Sequence, residues 1–512
     1  MAGDNAAKRV GQTTNLPSLG RAVLYAILRA TRRGIDVAAL LDASPVSMLP
    51  SELIALRDLG AVVDLADHWP VVHVSKIPIQ HARLAIAALP AFAGVFIDAG
   101  FTTLAWLDAT LPPTMAVTLV LDPSVPGTFS TFAYAWGSRI TEVIVKGHDV
   151  QPDPIPEILA RCVNVQSVTI ESAETRVAAA AYLAAMPTQH LRTLKVRVVA
   201  DDPVDASAIV AWLQGSDATS FSLACHSVRE PMALASAIEA CTTLSSLTLD
   251  GVAIVQGALA TAPNNLHHIT ALALSNDYGA YDAYMKVLLQ KMDRALSFSL
   301  RKTGGRGMLL RGVMGYLCTR PSLESVTLDN WSLRAVPTTG ACPRLTSFTL
   351  RHVQVHRTIP KIVQWLSTSH RPSSLDFSST MLGNDGFAAL ARALPVWMAR
   401  GLKTLGLGRT GLTDGDAVVL AFALGSGRNR RSLTIDLQAN DFAIASVAVL
   451  LTTLGTCHDV TLRFGSASVA SHLLALNKPC DEKDVLRVLV RVHKLEYIAP
   501  GTFTTPPRTS LP

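Results

Sequence analysis

Leu244-Ser-Ser-Leu247-Thr-Leu249 returns almost letter for letter as Leu323-Glu-Ser-Val326-Thr-Leu328 and as Leu345-Thr-Ser-Phe348-Thr-Leu350. Looser copies of this L-x-x-L-x-L phrase begin at Ile140, Val165, Leu191, Ala218, Ile269, Ala295, Pro372, Leu402, Ser432 and Cys457. Degenerate copies begin at Trp69, Phe92 and Ala116, with a further one near Val492. From Trp69 to Cys457 the step averages about 26 residues, and in the main array it varies from 22 to 30. A 20–50-residue period is the mark of a solenoid, whose units bury their apolar faces only against one another.

Each unit states its own local structure. Side chains alternate across a strand, so the fourth and sixth positions share a face. They are apolar in Leu194 and Val196, Leu272 and Leu274, Phe298 and Leu300, and Leu405 and Leu407. The intervening positions carry small polar residues such as Ser222, Thr248, Ser299 and Thr349. Between strands the period changes to that of a helix: Ala208, Ile209, Trp212 and Leu213; Met285, Leu288, Leu289 and Met292; Ile359, Ile362, Val363 and Leu366; Ala388, Ala389, Ala391 and Leu394. Pro231 and Pro360 suit first turns, where a missing N–H costs nothing, and Asp385 and Asp414 suit N-caps. The chain is therefore expected to be α/β, with parallel strands on one face and helices on the other.

Composition agrees with an ordered, weakly charged protein. Apolar residues make up 49% of the 512 positions and charged residues 16%, against about 25% in ordinary chains. Forty-five basic and 39 acidic residues leave a net charge of +6, too diffuse for a dedicated nucleic-acid binder. The local exceptions are Arg301, Lys302, Arg306, Arg311 and Arg320, and Arg428, Arg430 and Arg431. Seven scattered cysteines without a C-x-x-C pair predict no disulfide framework and no zinc site, and read as buried hydrophobes in a reducing compartment. The uncharged run from Leu84 to Ile97 holds Pro90 and Gly94 and is too short to span a bilayer. No signal peptide is read in residues 1–17, so a soluble cytoplasmic protein, with the nucleus as the alternative and no membrane as partner, is expected.

The array over residues 69–498 resembles the leucine-rich repeats of the ribonuclease-inhibitor-like superfamily. It departs from the family pattern at the Asn that usually follows the strand: Asn440 occupies that place, but His148, Asp277, Thr303, Thr380 and Thr410 stand in it elsewhere. Upstream, residues 16–68 read as a helical cap: Leu16-Pro17, then Val23, Leu24, Ile27 and Leu28, then Val37, Leu40 and Leu41, then Leu49-Pro50, Leu53, Leu56 and Leu59, ending at His68-Trp69-Pro70. Short helices closing on a Trp ahead of leucine-rich repeats are similar to F-box proteins. That resemblance implies a Skp-type adaptor docked on Leu16, Pro17, Leu24, Ile27 and Leu28, and a substrate of a cullin-RING ubiquitin ligase held by the repeats. The acidic residue after Leu-Pro and the Cys before the Trp are missing from the pattern. A plain cap for the first repeat, which every solenoid requires, remains the alternative, as does a targeting helix bearing Arg21, Arg29, Arg32 and Arg33. Residues 1–15 and 499–512 read as disordered ends.

Catalytic signatures are not found. There is no G-x-x-x-x-G-K-[ST] loop and no G-x-S-x-G elbow. Lys302 to Gly307 is a basic glycine-rich turn ahead of a helix expected from Met308. His352 and His356 lack the Glu of H-E-x-x-H, and His267-His268 precedes a strand. A GTPase activator of the Ran type shares this fold, but no catalytic Arg motif can be placed. No enzyme activity, cofactor or metal is expected. Binding of protein partners by a monomer is expected instead, through residues on or just past the strands: Arg192, Lys195, Arg197, Asp250, Arg301, Asp329 and Arg351. A stand-alone scaffold without a ligase link is the rival reading.

Overall fold

The computed structural model describes residues 23–28, 30–31, 33–98, 110–112, 115–122, 136–146, 155–173, 176–199, 203–276, 281–303, 308–309, 312–334, 340–355, 357–464, 496–499 and 502–505. The chain forms two compact units, residues 1–200 with 215–217, and residues 201–214 with 218–512. Each is a leucine-rich-repeat-like stack of parallel strands and helices.

The first unit opens with the helical cap. Residues 23–28 are helical, followed by helices Gly34–Ala43 and Ser51–Gly60. Pro50 stands just before the latter, and its carbonyl accepts from Leu53 and Ile54. Glu52 in the first turn and Arg57 in the last suit the helix dipole. Val37 and Leu41, and Leu53, Leu56 and Leu59, are buried at helical spacing. Trp69 ties the cap to the array: its ring lies 5.8 Å from that of Phe92, and its Nε1 donates to the Thr31 carbonyl at 2.8 Å. Strands Val71–His73, Gly94–Ile97, Ala116–Leu121, Ile140–Lys146, Ser167–Ala173 and Thr193–Val198 then pair in parallel, in chain order.

In the second unit ten strands pair in parallel, again in chain order: Ser220–Ala224, Ser246–Asp250, Ala271–Asn276, Ser297–Lys302, Ser325–Asp329, Ser347–Arg351, Ser374–Asp376, Thr404–Gly406, Leu433–Asp436 and Val460–Arg463. The register aligns like with like. Phe221, Leu247, Leu272, Phe298, Val326, Phe348, Leu375, Leu405, Ile435 and Leu462 form one cross-strand column, and all are buried. Each such side chain contributes about 1.5–3 kcal/mol of burial. Helices Ser207–Gly215, Tyr281–Lys291 and Ile359–Leu366 turn in Ile209, Trp212 and Leu213; Met285, Leu288 and Leu289; and Ile359, Ile362, Val363 and Leu366.

Several local readings are corrected. The last unit starts at Asp459 and not Cys457, because Ile435 pairs with Leu462. A slip of two keeps the same residues on the same face, so alternation alone cannot detect it. The same slip separates the Phe92 and Ala116 units, where Val95 pairs with Val117. Helix Gly383–Arg400 buries Phe387 and Leu390, with Ala388 and Ala389 half-buried: the larger side chains take the core. Asp385 lies within that helix, and Thr413, not Asp414, caps helix Asp414–Ser426 through a reciprocal box with Asp416. Met308–Leu309 is a short strand, and the helix expected there begins at Val313 after left-handed Gly312. The tail expected to be disordered from 499 contributes strand Thr502–Thr504, antiparallel to Val460–Arg463 and to Glu496–Ala499. The last repeat strand exposes an edge of unpaired N–H and C=O groups, and a threonine-rich segment is well suited to pair with it. Thr505 is buried there: its N–H donates to the Val460 carbonyl at 3.0 Å and its Oγ1 accepts the Val460 N–H at 2.9 Å. The copy near Val492 and residues 1–15 lie outside the described residues.

The turn after each strand is where the missing Asn is replaced. Among the described residues the eighth position is left-handed in six units, at Gly251, Asn330, His352, Ser379, Arg409 and Ala439. The chain there turns off the sheet, and the sixth-position carbonyl needs another donor. At the end of the array Asn440 supplies it, donating through Nδ2 to Leu407 and Leu437 at 2.7 and 3.0 Å while Oδ1 accepts from the Thr410 and Leu412 amides at 3.1 Å each. Other side chains share this task or take it over. Thr380 Oγ1 donates to Leu350 at 2.7 Å, Thr410 Oγ1 to Leu407 at 2.7 Å, Trp331 Nε1 to Leu300 at 3.3 Å, and Gln256 Nε2 to Leu249 at 3.3 Å. All five of these side chains are buried.

Replacement of Asn440 by Ala leaves two buried amides without their acceptor and removes a donor from two carbonyls. At about 1–3 kcal/mol for each buried group left unpaired, Asn440→Ala is expected to lower the unfolding free energy by about 2–4 kcal/mol, read by urea titration. Thr410→Val, which removes one hydroxyl, should cost less.

Acid sensitivity follows from three histidines. His68 is 3% exposed, and its Nδ1 has no hydrogen-bond partner among the described residues. Burial, reinforced by His73, holds its pKa below the ordinary value, and burial also lowers those of His73 and His268. The unfolded chain then takes up protons from about pH 6.5 downwards before the folded chain does. Stability should be flat above that pH, fall by up to about 1.4 kcal/mol per pH unit per such imidazole below it, and level once the lowered folded pKa is passed. His68→Asn should shallow this slope in melts taken between pH 7.5 and 5.

Candidate protein-binding face

The polar face of each ladder is built by the same alternation that fills the core, because residues between the buried positions point the other way. In the first unit Arg192, Lys195 and Arg197 are all exposed. Lys195 and Arg197, two apart on one strand, share a side of it. Lys195 stands in register with Thr169, and Thr169 with Ile144, while Lys146 pairs with Glu171. The basic cluster expected from sequence is therefore assembled on a single strand and its approach.

The second unit brings together Asp250, Arg301, Asp329 and Arg351. Ala224, Asp250, Ser275, Arg301, Asp329 and Arg351 occupy successive strands in direct register. Their charges are largely spent on one another. Asp329, 20% exposed, receives Arg301 Nε at 3.6 Å and His352 Nδ1 at 3.0 Å. Arg351 Nε donates to Asp376 Oδ2 at 2.7 Å, and Asp376 Oδ1 accepts the Ser378 amide at 2.9 Å. Gly406 lies beside this carboxylate, and a Cβ there would run into Asp376 Oδ1. Alternation of acid and base along the column thus reflects neighbouring strands neutralising each other. Sequence reasoning missed Asp376, His352 and Gly406 as parts of this ladder, because the contacts run diagonally between strands of different repeat lengths.

Residues considered for chemistry find structural roles. Burial pushes the Cys162, Cys225 and Cys318 thiols up to about 12, so they stay protonated at neutral pH. Cys162 Sγ donates to the Ile158 carbonyl at 3.3 Å, and Cys342 Sγ to Trp365 at 3.2 Å. His267 Nδ1 lies 2.6 Å from Asp293, and this contact holds the Asp293 carboxyl below its usual range. Arg320 reaches the Leu289 and Asp293 carbonyls at 3.4 and 3.3 Å and lies 4.5 Å above the Tyr316 ring. His148, Asp277, Arg306, Arg311 and His356 lie outside the described residues, as do Gly304 to Gly307 of the glycine-rich turn. Trp331 is core. Phe96 is half-buried, its ring 4.3 Å from that of His73.

In the cap, Leu24 is half-buried and Ile27 is 46% exposed. Leu28 is 1% exposed and so belongs to the core and not to an offered surface: residues four apart share a helix face, and this one turns inward. Leu16 and Pro17 lie outside the described residues.

No family model and no curated protein matches the chain. Among solved structures, a Bacteroides fragilis protein aligns at 12% identity and a TM-score of 0.28, covering 48% of this chain and 66% of that one. The Toll–Spätzle complex of Drosophila aligns at 12% identity and a TM-score of 0.38, covering 80% of this chain and 52% of that one. The chain thus spans between about half and two thirds of the length of these two structures. Among the described residues, no helix is long and apolar enough to cross a membrane.

The pairing of Asp329 with exposed cations sets a small energetic value for the ladder, since exposed ion pairs contribute about 0–1 kcal/mol. Asp329→Asn should therefore shift the melting temperature by no more than a few degrees. A shift several times larger would mean that the ladder is a buried network.

Proposed function

We propose that the protein is a protein-interaction scaffold that binds its partner on the polar strand face. The observation that carries this reading is the face itself: exposed and half-exposed Ser, Thr and charged side chains held at strand spacing on a rigid parallel ladder. Such a surface supplies shape and orientation without the convergent groups that chemistry requires. Lys195 and Arg197, with Arg192 beside them, form an exposed basic cluster, whereas Arg301, Asp329 and Arg351 are paired within the chain. Charge complementarity at such a cluster steers encounter more than it adds affinity. The expected partner therefore presents an acidic patch. Buried, protonated cysteines support a reducing compartment, cytoplasm or nucleus, as the place of action. Enzymatic activity of its own is no part of the proposal.

The adaptor reading, in which the cap docks on a Skp-type protein and the repeats hold a ligase substrate, is favoured by one further observation. Val23, Ile27, Ile35, Val46 and Met48 of the cap stand large and apolar in solvent, which a plain cap does not require.

The two readings separate experimentally. Partners captured by the tagged full chain should include at least one lost on combined Arg192→Glu, Lys195→Glu and Arg197→Glu substitution, with the melting temperature retained; an unchanged partner set removes this face from the function. Co-precipitation with a Skp-type adaptor, lost in Ile27→Asp with Val46→Asp, is expected of the adaptor reading, and no capture by the unaltered chain ends it.

A further inference from the structure

The helix layer of the second unit carries a surface that strand-face binding does not use. Helix Asp414–Ser426 is apolar nearly all round: Ala417, Leu420, Ala421 and Leu424 fill the core, yet Phe422 is 80% exposed. A helix hydrophobic on every side is ordinarily covered on every side. Its neighbours repeat the anomaly. Val396 in the last turns of helix Gly383–Arg400 and Val449 in the second half of helix Ile444–Leu454 are also exposed.

A basic rim adjoins these helix ends. Lys403, Arg428, Arg430 and Arg431 are exposed, and they lie in the loops that lead from the first two of these helices to their strands. Neither loop, 401–403 nor 427–432, contains an acid. The loops are neighbours: the Arg430 amide donates to the Met398 carbonyl at 3.1 Å, and the Arg431 side chain lies 3.5 Å from where a Cβ on Gly401 would stand. Arg400 is different in kind, because its Nη1 is committed to the Ser367 and Ser369 carbonyls at 2.6 Å each.

We propose that this corner, with Phe422 at its centre and Lys403, Arg428, Arg430 and Arg431 as its rim, docks peripherally on an anionic lipid surface. Apolar side chains that project from a helix face beside a cluster of cations match the boundary between acyl chains and anionic headgroups. A helical peptide would instead need a groove to lie in, and Phe422 stands out from the layer. No spanning segment is required, so the exclusion of a membrane on grounds of length does not reach this surface.

The test is sedimentation of the full chain with phosphatidylcholine vesicles, with and without phosphatidylserine. Binding is expected only with phosphatidylserine and should fall as salt is raised. Each of Arg428→Gln, Arg430→Gln and Arg431→Gln should weaken it about fivefold, and Phe422→Ser about tenfold. The Arg192, Lys195 and Arg197 reversal should leave it intact. Phe422→Trp should be quenched by acyl-brominated lipid, a direct reading of insertion. Because all four positions are exposed, the variants should melt with the parent. Absence of sedimentation with anionic vesicles overturns the proposal and leaves the corner to a protein partner. Binding that ignores these substitutions, or equals that to phosphatidylcholine alone, overturns it too.

Discussion

The carbonyl of the sixth residue in each repeat is the point on which the array depends. Within two residues of it the chain leaves the ladder and turns into the helix-bearing half of the unit. A buried carbonyl without a donor costs as much as several apolar contacts contribute. The solution at Asn440 is complete, one amide serving two carbonyls and two amides across adjacent repeats. The other solutions are partial. A threonine hydroxyl has one proton to donate, so Thr380 serves Leu350 while accepting only from Val353, and Trp331 and Gln256 reach the same kind of carbonyl from different backbone positions. The donors differ in length and origin, and the repeats differ correspondingly, from 22 residues between Val326 and Phe348 to 30 between Leu375 and Leu405.

That irregularity is tolerated because stability in a stacked array is a sum of neighbouring interfaces. Each repeat must match only the ones beside it. A second set of contacts between neighbours closes the helix ends: Lys291 donates to the Leu259 carbonyl at 2.9 Å, Arg320 to Leu289, and Arg400 to Ser367 and Ser369. In each case a cation from one repeat meets the carbonyls at or just past the C-terminal end of the preceding helix, where the dipole is negative. Several basic residues of a sparsely charged chain are therefore structural, which is why charge counting along the sequence overstates what is available to a partner.

Architecture was legible because period and alternation are statements about burial, and burial is what the fold optimises. The paired apolar positions, most of the helix stripes and the place of Asn440 could be read from residue spacing. Register could not: Val460 and Leu462 satisfy the pattern from Cys457 as well as Leu462 and Phe464 do from Asp459, and a slip of two leaves every face unchanged. Nor could the ladder of Arg301, Asp329, Arg351 and Asp376, since the last pair joins a seventh-position Arg to a fifth-position Asp on the next strand. Thr502–Thr504 escaped for another reason. Its partner is an open sheet edge far away in sequence, and composition reads threonine and proline near a terminus as unstructured whether or not such an edge exists.

The distribution of charge carries the functional argument one step further. Where strands bring Arg and Asp into register, the chain neutralises itself, and where helices end, cations are drawn onto carbonyls. Among the described residues two exposed basic clusters stand out, Lys195 and Arg197 with Arg192 beside them in the first unit, and the rim of Lys403, Arg428, Arg430 and Arg431 in the second. Each offers a place for a partner recognised by charge. They differ in what accompanies them: the first is flanked by small polar strand residues such as Thr169 and Thr193, suited to a hydrated protein surface, while the second borders Phe422, whose exposure is a cost unless something apolar covers it. The same cationic chemistry therefore points to two different kinds of contact.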